Sequence, residues 1–149
     1  MSKKTSTITL EVTYICTIIN LKLIIMINQE VMVVYSWVAK EGQSETLKGI
    51  YKEVTSQMED NEPGAKQVQC FFDETTSKLI VLDVFENAGA VGFHLGTTAA
   101  GHFEGLLEIA DPGEFLFCGE VPNEMKQAAL GMGLKATFAP AVFGFQRAI

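Results

Sequence analysis

At 149 residues and 48% hydrophobic content, the chain is long enough for one domain with a continuous buried core. Eighteen acidic against 11 basic side chains leave a formal charge of −7, which repels a phosphate backbone. No basic run or zinc-finger spacing offsets that repulsion, so no nucleic-acid partner is expected.

Residues 1–30 (MSKKTSTITLEVTYICTIINLKLIIMINQE) combine a basic start with many β-branched residues. Glu11, Asn20 and Lys22 interrupt the apolar run and no small-residue cleavage pattern follows, so the segment reads neither as an export signal nor as a membrane span. A cytoplasmic protein with no membrane partner is the expectation. Ile8, Leu10, Val12, Tyr14, Cys16 and Ile18 alternate with threonines and Glu11, and Leu21, Leu23, Ile25 and Ile27 continue on the opposite parity. That pattern predicts an added β-hairpin turning near Asn20, with the main domain spanning 31–149.

Val31 to Ala39 (VMVVYSWVA) is β-branched and aromatic and stops at Lys40–Glu41–Gly42–Gln43, which makes it the first core strand. Ser44 then caps a helix in which Leu47, Ile50, Tyr51, Val54 and Met58 recur at intervals of three and four. It ends by Asn61–Glu62–Pro63–Gly64. Lys66 to Asp73 and Lys78 to Phe85 (KLIVLDVF) form two strands whose short connection implies antiparallel pairing. Asn87 caps a second helical region through Val91, His94 and Leu95, loosened at Gly96–Thr97–Thr98, resuming through Phe103, Leu106 and Leu107, and ended by Asp111–Pro112–Gly113. A strand over Glu114 to Glu120, a short helix over Asn123 to Leu130 and an extended stretch over Ala136 to Phe145, broken by Pro140, complete the chain. Cys16, Cys70 and Cys118 all fall in apolar alternating stretches and read as buried reduced thiols rather than a disulfide or a metal site.

The order β-α-β-β-α-β, followed by α-β, is the split βαβ arrangement of an α+β ferredoxin-like domain, a four-stranded antiparallel sheet with helices on one face. In the first strand Val31, Val33, Tyr35, Trp37 and Ala39 share one side, and Met32, Val34, Ser36 and Val38 the other. Helices cover only one of these two apolar sides, so a homodimer through the open sheet faces is expected.

The segments VVYSWVAKEGQSETLKGIYKEV, EDNEPGAKQVQCFFDETTSKLIVLDVFEN and AGAVGFHLGTTAAGHFEGLLE, in that order, resemble the antibiotic biosynthesis monooxygenase superfamily of dimeric α/β barrels. The tail VPNEMKQAALGMGLKATFAPAVFGF is similar to the extra helix and strand by which many such subunits reach their partner. The resemblance spans roughly residues 31 to 149 and implies a pocket between sheet and helices for a small aromatic or oxygen-rich molecule. Some relatives oxygenate such a molecule without metal or flavin, others degrade haem, and a further branch isomerises a phosphorylated sugar derivative. Haem degradation is disfavoured, because the asparagine that branch carries on its first strand is missing from VVYSWVA.

His94 occupies the position of the recurrent helix histidine of that superfamily and is one of two histidines in the chain. As a base it would take a proton from a phenol or an α-keto carbon, leaving an anion able to react with dioxygen. Packing within the helix interface with both nitrogens satisfied is the structural alternative. Tyr35 and Trp37 are candidate stacking surfaces for a flat substrate, or else dimer core. Phe85 stands where many relatives carry tryptophan, and His102 lies eight residues beyond His94, with exposure to solvent expected. Asp83 and Glu86 read as solvated or capping carboxylates. No cofactor and no metal is expected: two histidines fall short of a metal site, Gly131–Met132–Gly133 ends a helix, and the GTTAAG stretch lacks the lysine of a phosphate loop. The expectation is a cofactor-independent monooxygenase or related small-molecule enzyme, against a non-catalytic dimer that binds a small ligand.

Overall fold

A computed structural model of the chain describes residues 13–15, 17–18 and 29–147. The elements are β1 (Val31–Ala39), α1 (Ser44–Asn61), β2 (Ala65–Asp73), β3 (Lys78–Phe85), α2 (Ala88–His94), a π-helical turn over Leu95–Ala99, α3 (Ala100–Ile109), β4 (Ala110–Pro112), β5 (Phe115–Cys118), α4 (Asn123–Gly131) and β6 (Ala136–Ala139). They form one sheet in the order β2-β3-β1-β5-β6, with β4 pairing β1 beside β5. Pairing is antiparallel except between β5 and β6. This is the ferredoxin-like arrangement with an added helix and strand, and the sheet is open rather than closed.

The helix-facing side of the sheet follows from strand parity. Val31, Val33, Tyr35, Trp37 and Ala39 of β1, Leu79, Val81, Asp83 and Phe85 of β3, and Phe115 and Phe117 of β5 are all buried. Against them lies the stripe Leu47, Tyr51, Val54 and Met58 of α1, spaced to fall on one helical face. The opposite side is uncovered: Met32, Val38, Phe71, Ile80 and Leu116 are exposed. β6 extends the core at the β5 edge, where Phe138 stacks on Phe117 with ring centroids 5.0 Å apart.

Local chemistry fixes the connections. In the β2–β3 turn the Asp73 carboxylate accepts from the Thr75 N–H at 2.9 Å and the Thr76 hydroxyl at 2.6 Å, bonds that hold its carboxyl below the usual range. Asn87 caps α2, its Oδ1 accepting from the Ala90 N–H at 3.0 Å. Gly119 follows β5 with φ of +138°, and a Cβ there would meet the Glu30 carbonyl oxygen at 2.7 Å, so only glycine lets the chain pass this close to the start of β1.

Several expectations are corrected. Thr13, Tyr14, Ile15, Thr17 and Ile18 are helical, not extended, and the Thr17 hydroxyl donates to the Thr13 carbonyl at 2.8 Å. Local bonds between residues four apart satisfy the backbone there in place of a strand partner; the rest of the expected hairpin lies outside the described residues. Ser44 is the first helical residue rather than the cap, since Gln43 holds that position through its backbone carbonyl. α3 ends at Ile109, and the residues expected to terminate it form β4. The last extended stretch is confined to β6, because Pro140 cannot donate to a ladder. Cys70 is exposed and Cys118 half-buried, both free thiols; β2 is an edge strand, so its inward side is only partly covered. Cys16 lies outside the described residues.

Leu47 is fully buried at the centre of the α1 stripe. Its replacement by alanine should lower unfolding free energy by about 2–4 kcal/mol in urea titration. Val38→Ala, on the uncovered face, should change it far less in the monomer.

Candidate functional site

Between the sheet and helices α1 to α3 lies a cavity of about 50 Å³. At roughly 10–15 Å³ per water-sized group it holds about four such groups. That suits a small molecule, or one end of a larger one. Its wall is mostly apolar, including Val33, Val54, Val91, Leu106, Phe117 and Leu134. The five sequence candidates, Tyr35, Trp37, Phe85, His94 and His102, all line it, and so does Asp83.

The helical side is built around His94, the last residue of α2. Its imidazole is buried, Nδ1 lies 3.1 Å from both carboxylate oxygens of Glu62, and its ring packs 5.4 Å from that of Phe85. Glu62, which follows the last residue of α1, is also buried. The turn that delivers it is pressed against α2: a Cβ on Gly64 would stand 2.6 Å from that of Ala90, one helical turn before His94. Small residues on both sides thus bring a carboxylate and an imidazole from elements 32 residues apart into one buried pair. With Nδ1 turned to Glu62, Nε2 is the remaining ring nitrogen of a residue on the cavity wall, the arrangement in which a carboxylate orients a histidine as a base.

The π-helical turn directly after His94 adds a residue to the helical repeat. Across it Leu95, Ala99, His102, Phe103 and Leu106 all reach the cavity wall. His102 is half-buried rather than solvated, its Nε2 3.0 Å from the Gln57 side-chain oxygen. That bond ties α3 to α1.

The sheet side is polar at one spot. Asp83, expected at the surface, is buried, because its place in KLIVLDVF has the inward parity of Leu79, Val81 and Phe85. Burial pushes its carboxyl up to about 7; the neighbouring Tyr35 hydroxyl pulls the other way, and the charge of Glu62 adds to the rise. Burial also raises the Tyr35 and Tyr51 hydroxyls well above the ordinary tyrosine range. Tyr35 stacks on Phe115 at 4.7 Å, and Trp37 meets Phe103 and Phe115 edge-on at 6.1 and 6.2 Å. Both rings are buried on the helix-facing side of the sheet, away from its uncovered face. Among the described residues, the buried side-chain polar atoms without a hydrogen-bond partner are Trp37 Nε1 and Asp83 Oδ1, and both residues line this cavity. Glu62 and Asp83 were the residues that sequence reasoning missed. Among the described residues no cluster of metal-ligating side chains is present, and no helix is long and apolar enough to cross a membrane.

Neither a family model nor a curated protein sequence matches the chain. Solved structures do match it. The chain is similar to MupZ from Pseudomonas fluorescens at 18% identity, with a TM-score of 0.67 over 80% of this chain and 96% of that one. It is similar to a candidate antibiotic biosynthesis monooxygenase from Caulobacter crescentus CB15 at 16% identity, with a TM-score of 0.57 over 64% and 92%. A mutant of SnoaB, a cofactor-independent oxygenase from Streptomyces nogalater, superposes at 12% identity with a TM-score of 0.53 over 60% and 90%. The chain has the ferredoxin-like fold of the antibiotic biosynthesis monooxygenases.

Ionising Asp83 is penalised only in the folded chain, so between its unfolded value near 3.8 and about 7 the folded state holds the extra proton. Stability therefore falls as pH rises through that window, and the loss is complete above it. At about 1.4 kcal/mol per unit the effect amounts to a few kcal/mol. Asp83→Asn should raise Tm over the parent at about pH 8, and lose that advantage towards about pH 4.

Proposed function

We propose that the protein is a small-molecule enzyme whose reaction begins with proton abstraction by His94, oriented by Glu62. The observation that carries this reading is the buried Glu62–His94 pair on the wall of a cavity between sheet and helices. A carboxylate on Nδ1 fixes the tautomer and stabilises the imidazolium that forms, which is how a histidine becomes an effective base away from bulk water. Tyr35, Trp37, Phe85 and His102 complete the substrate-binding wall. A hydrogen-bonded imidazole is also what a purely structural pair would show; its place on the cavity wall favours the catalytic reading.

The reaction supported by the fold's neighbours, which include a cofactor-independent oxygenase, is oxygenation of an electron-rich carbon acid or phenol. His94 takes the acidic proton, the resulting anion passes its electrons to dioxygen and forms a C–O bond, and the peroxide anion takes the proton back from His94 to give a hydroperoxide. For a methylene substrate, loss of water from the hydroperoxide leaves a carbonyl, so that one methylene group and one dioxygen become one ketone carbonyl and one water. Dioxygen is the oxidant and needs no further reductant.

Oxygen uptake with a panel of phenols, quinols and keto acids tests the reaction. His94→Asn keeps a donor near the position of Nδ1 for Glu62 while removing the base. It should lower kcat at least about 100-fold with little change in Tm. Undiminished turnover in this variant would remove His94 from the chemistry.

The working form is proposed to be a homodimer through the open sheet face. The apolar side chains there form a continuous strip, since Phe71 pairs with Ile80, which pairs in turn with Ser36 between Val34 and Val38. A second copy would remove this strip from water. Val142, Phe143 and Phe145, exposed beyond β6, would add to the same contact. Sedimentation at micromolar concentration should give a dimer, and Ile80→Glu a folded monomer; a parent that sediments as a monomer would contradict the assembly.

A further inference from the structure

We infer that the cavity is entered between the π-helical turn and the α4–β6 connection, and that Met132 is the side chain that decides which molecules pass. The inference rests on a small molecule reaching that cavity, as the proposed function requires, and names the residue that selects it by size. It does not depend on which group acts as the base.

The entrance follows from burial around the cavity wall. Most of the lining residues are buried, and the half-buried ones are Leu95, Ala99, His102, Phe103 and Met132. The wall meets solvent where these side chains lie. Leu95, Ala99, His102 and Phe103 belong to one continuous helical run, the π-helical turn and α3, and form one lip of the mouth. Met132 comes from a different part of the chain, the link between α4 and β6, and forms the other.

The two lips are held very differently. On the helical side His102 Nε2 is 3.0 Å from the Gln57 side-chain oxygen, Phe103 sits edge-on to Trp37 at 6.1 Å, and Lys40 Nζ donates to the Leu107 and Glu108 carbonyls at 2.8 and 3.1 Å. On the other side Ala129 is the one buried residue of α4. Among the described residues no hydrogen bond or ion pair joins α4 to another element; the N–H groups of Met125 and Lys126 bond to the Pro122 carbonyl and that of Met132 to the Ala128 carbonyl, all within its own turns. It meets α2 through Met125 at Gly92, where an added Cβ would stand 3.0 Å from Met125 Cε. Val121 and Leu134 are buried on either side of α4, and Gly133, with φ of +78°, joins Met132 to the second of these anchors. A segment with few buried side chains between two anchors is where local opening costs least. Methionine suits its tip, because an unbranched and flexible side chain fills the gap when the mouth is closed and yields to a molecule passing through.

Trp37 is the one tryptophan of the chain, is 1% exposed and lines the cavity, so quenching of its fluorescence in the full-length protein reports what gets in. Acrylamide stands in for an organic substrate and dissolved dioxygen for the smaller co-reactant, with time-resolved decays giving the bimolecular quenching constant of each. In the parent, acrylamide should quench Trp37 at least about tenfold more slowly than indole free in water, because only the open fraction admits it. Met132→Ala should raise that constant at least about threefold, while the dioxygen constant, for a molecule small enough to pass the closed mouth, should stay within about 1.5-fold of the parent's. Leu47→Ala, which loosens the core away from the mouth, and Leu130→Ala, on the exposed side of α4, should leave acrylamide quenching at the parent's value under conditions where each variant is folded. An acrylamide constant unchanged in Met132→Ala, raised as much by Leu47→Ala, or matched by an equal rise for dioxygen would overturn the gate. Turnover is read in none of these measurements, so a failure of the proposed base leaves this result standing, and a failure of this result leaves the base untouched.

Discussion

A carboxylate taken out of water must find partners inside the chain, and Glu62 finds its partner in one nitrogen of His94, 3.1 Å from each of its oxygens. Removing the His94 donor without a replacement strands the buried Glu62 carboxylate at a cost of about 3–5 kcal/mol. The relative placement of the α1 terminus, the Pro63–Gly64 turn and α2 is therefore specified by the pair as much as by apolar packing. The close approach of Gly64 to Ala90 is the steric counterpart of the same constraint. The two elements can carry their ionisable groups only if their backbones come this near.

The rest of the site follows from where that pair sits. The α1 stripe from Leu47 to Met58 and the inward residues of β1, β3 and β5 wall the volume around it, and the result is a mostly apolar cavity with a few polar side chains, His94 and His102 on the helical side and Asp83 and Tyr35 on the sheet side. In such surroundings electrostatic interactions lose the screening of water, so the imidazole on the helical side and the Asp83 carboxyl on the sheet side act on anything between them with little competition. Burial raises the Asp83 carboxyl for the same reason, since its charged form loses hydration there and the Tyr35 hydroxyl offsets only part of that loss.

Much of this was legible in the sequence. Alternation in VMVVYSWVA and KLIVLDVF, and the three-four spacing of Leu47, Tyr51, Val54 and Met58, gave the element order because each period reports one buried face. His94, Tyr35, Trp37, Phe85 and His102 were named from pattern and resemblance, and the structure brings all five to one cavity. Asp83 was readable too, since it shares the inward parity of Val81 and Phe85, but the general habit of carboxylates outweighed the parity. Glu62 carried no such signal: it lies beyond the last helical residue, and only the packing of the α1–β2 turn on α2 buries it. The three-residue β4 is too short for any period to register, and the helical conformation at residues 13–15 and 17–18 runs against an alternation that suits a strand equally well.

The central claim is that Glu62 holds His94 as the Nδ1–H tautomer, leaving Nε2 as the base on the cavity wall. Long-range 1H–15N correlation spectra of the imidazole, at a pH where the ring is neutral, report this directly. His94 should show a protonated, pyrrole-like Nδ1 and an unprotonated, pyridine-like Nε2, with that preference weakened in Glu62→Gln. A neutral ring protonated on Nε2, with Nδ1 accepting a proton shared by Glu62, would contradict it.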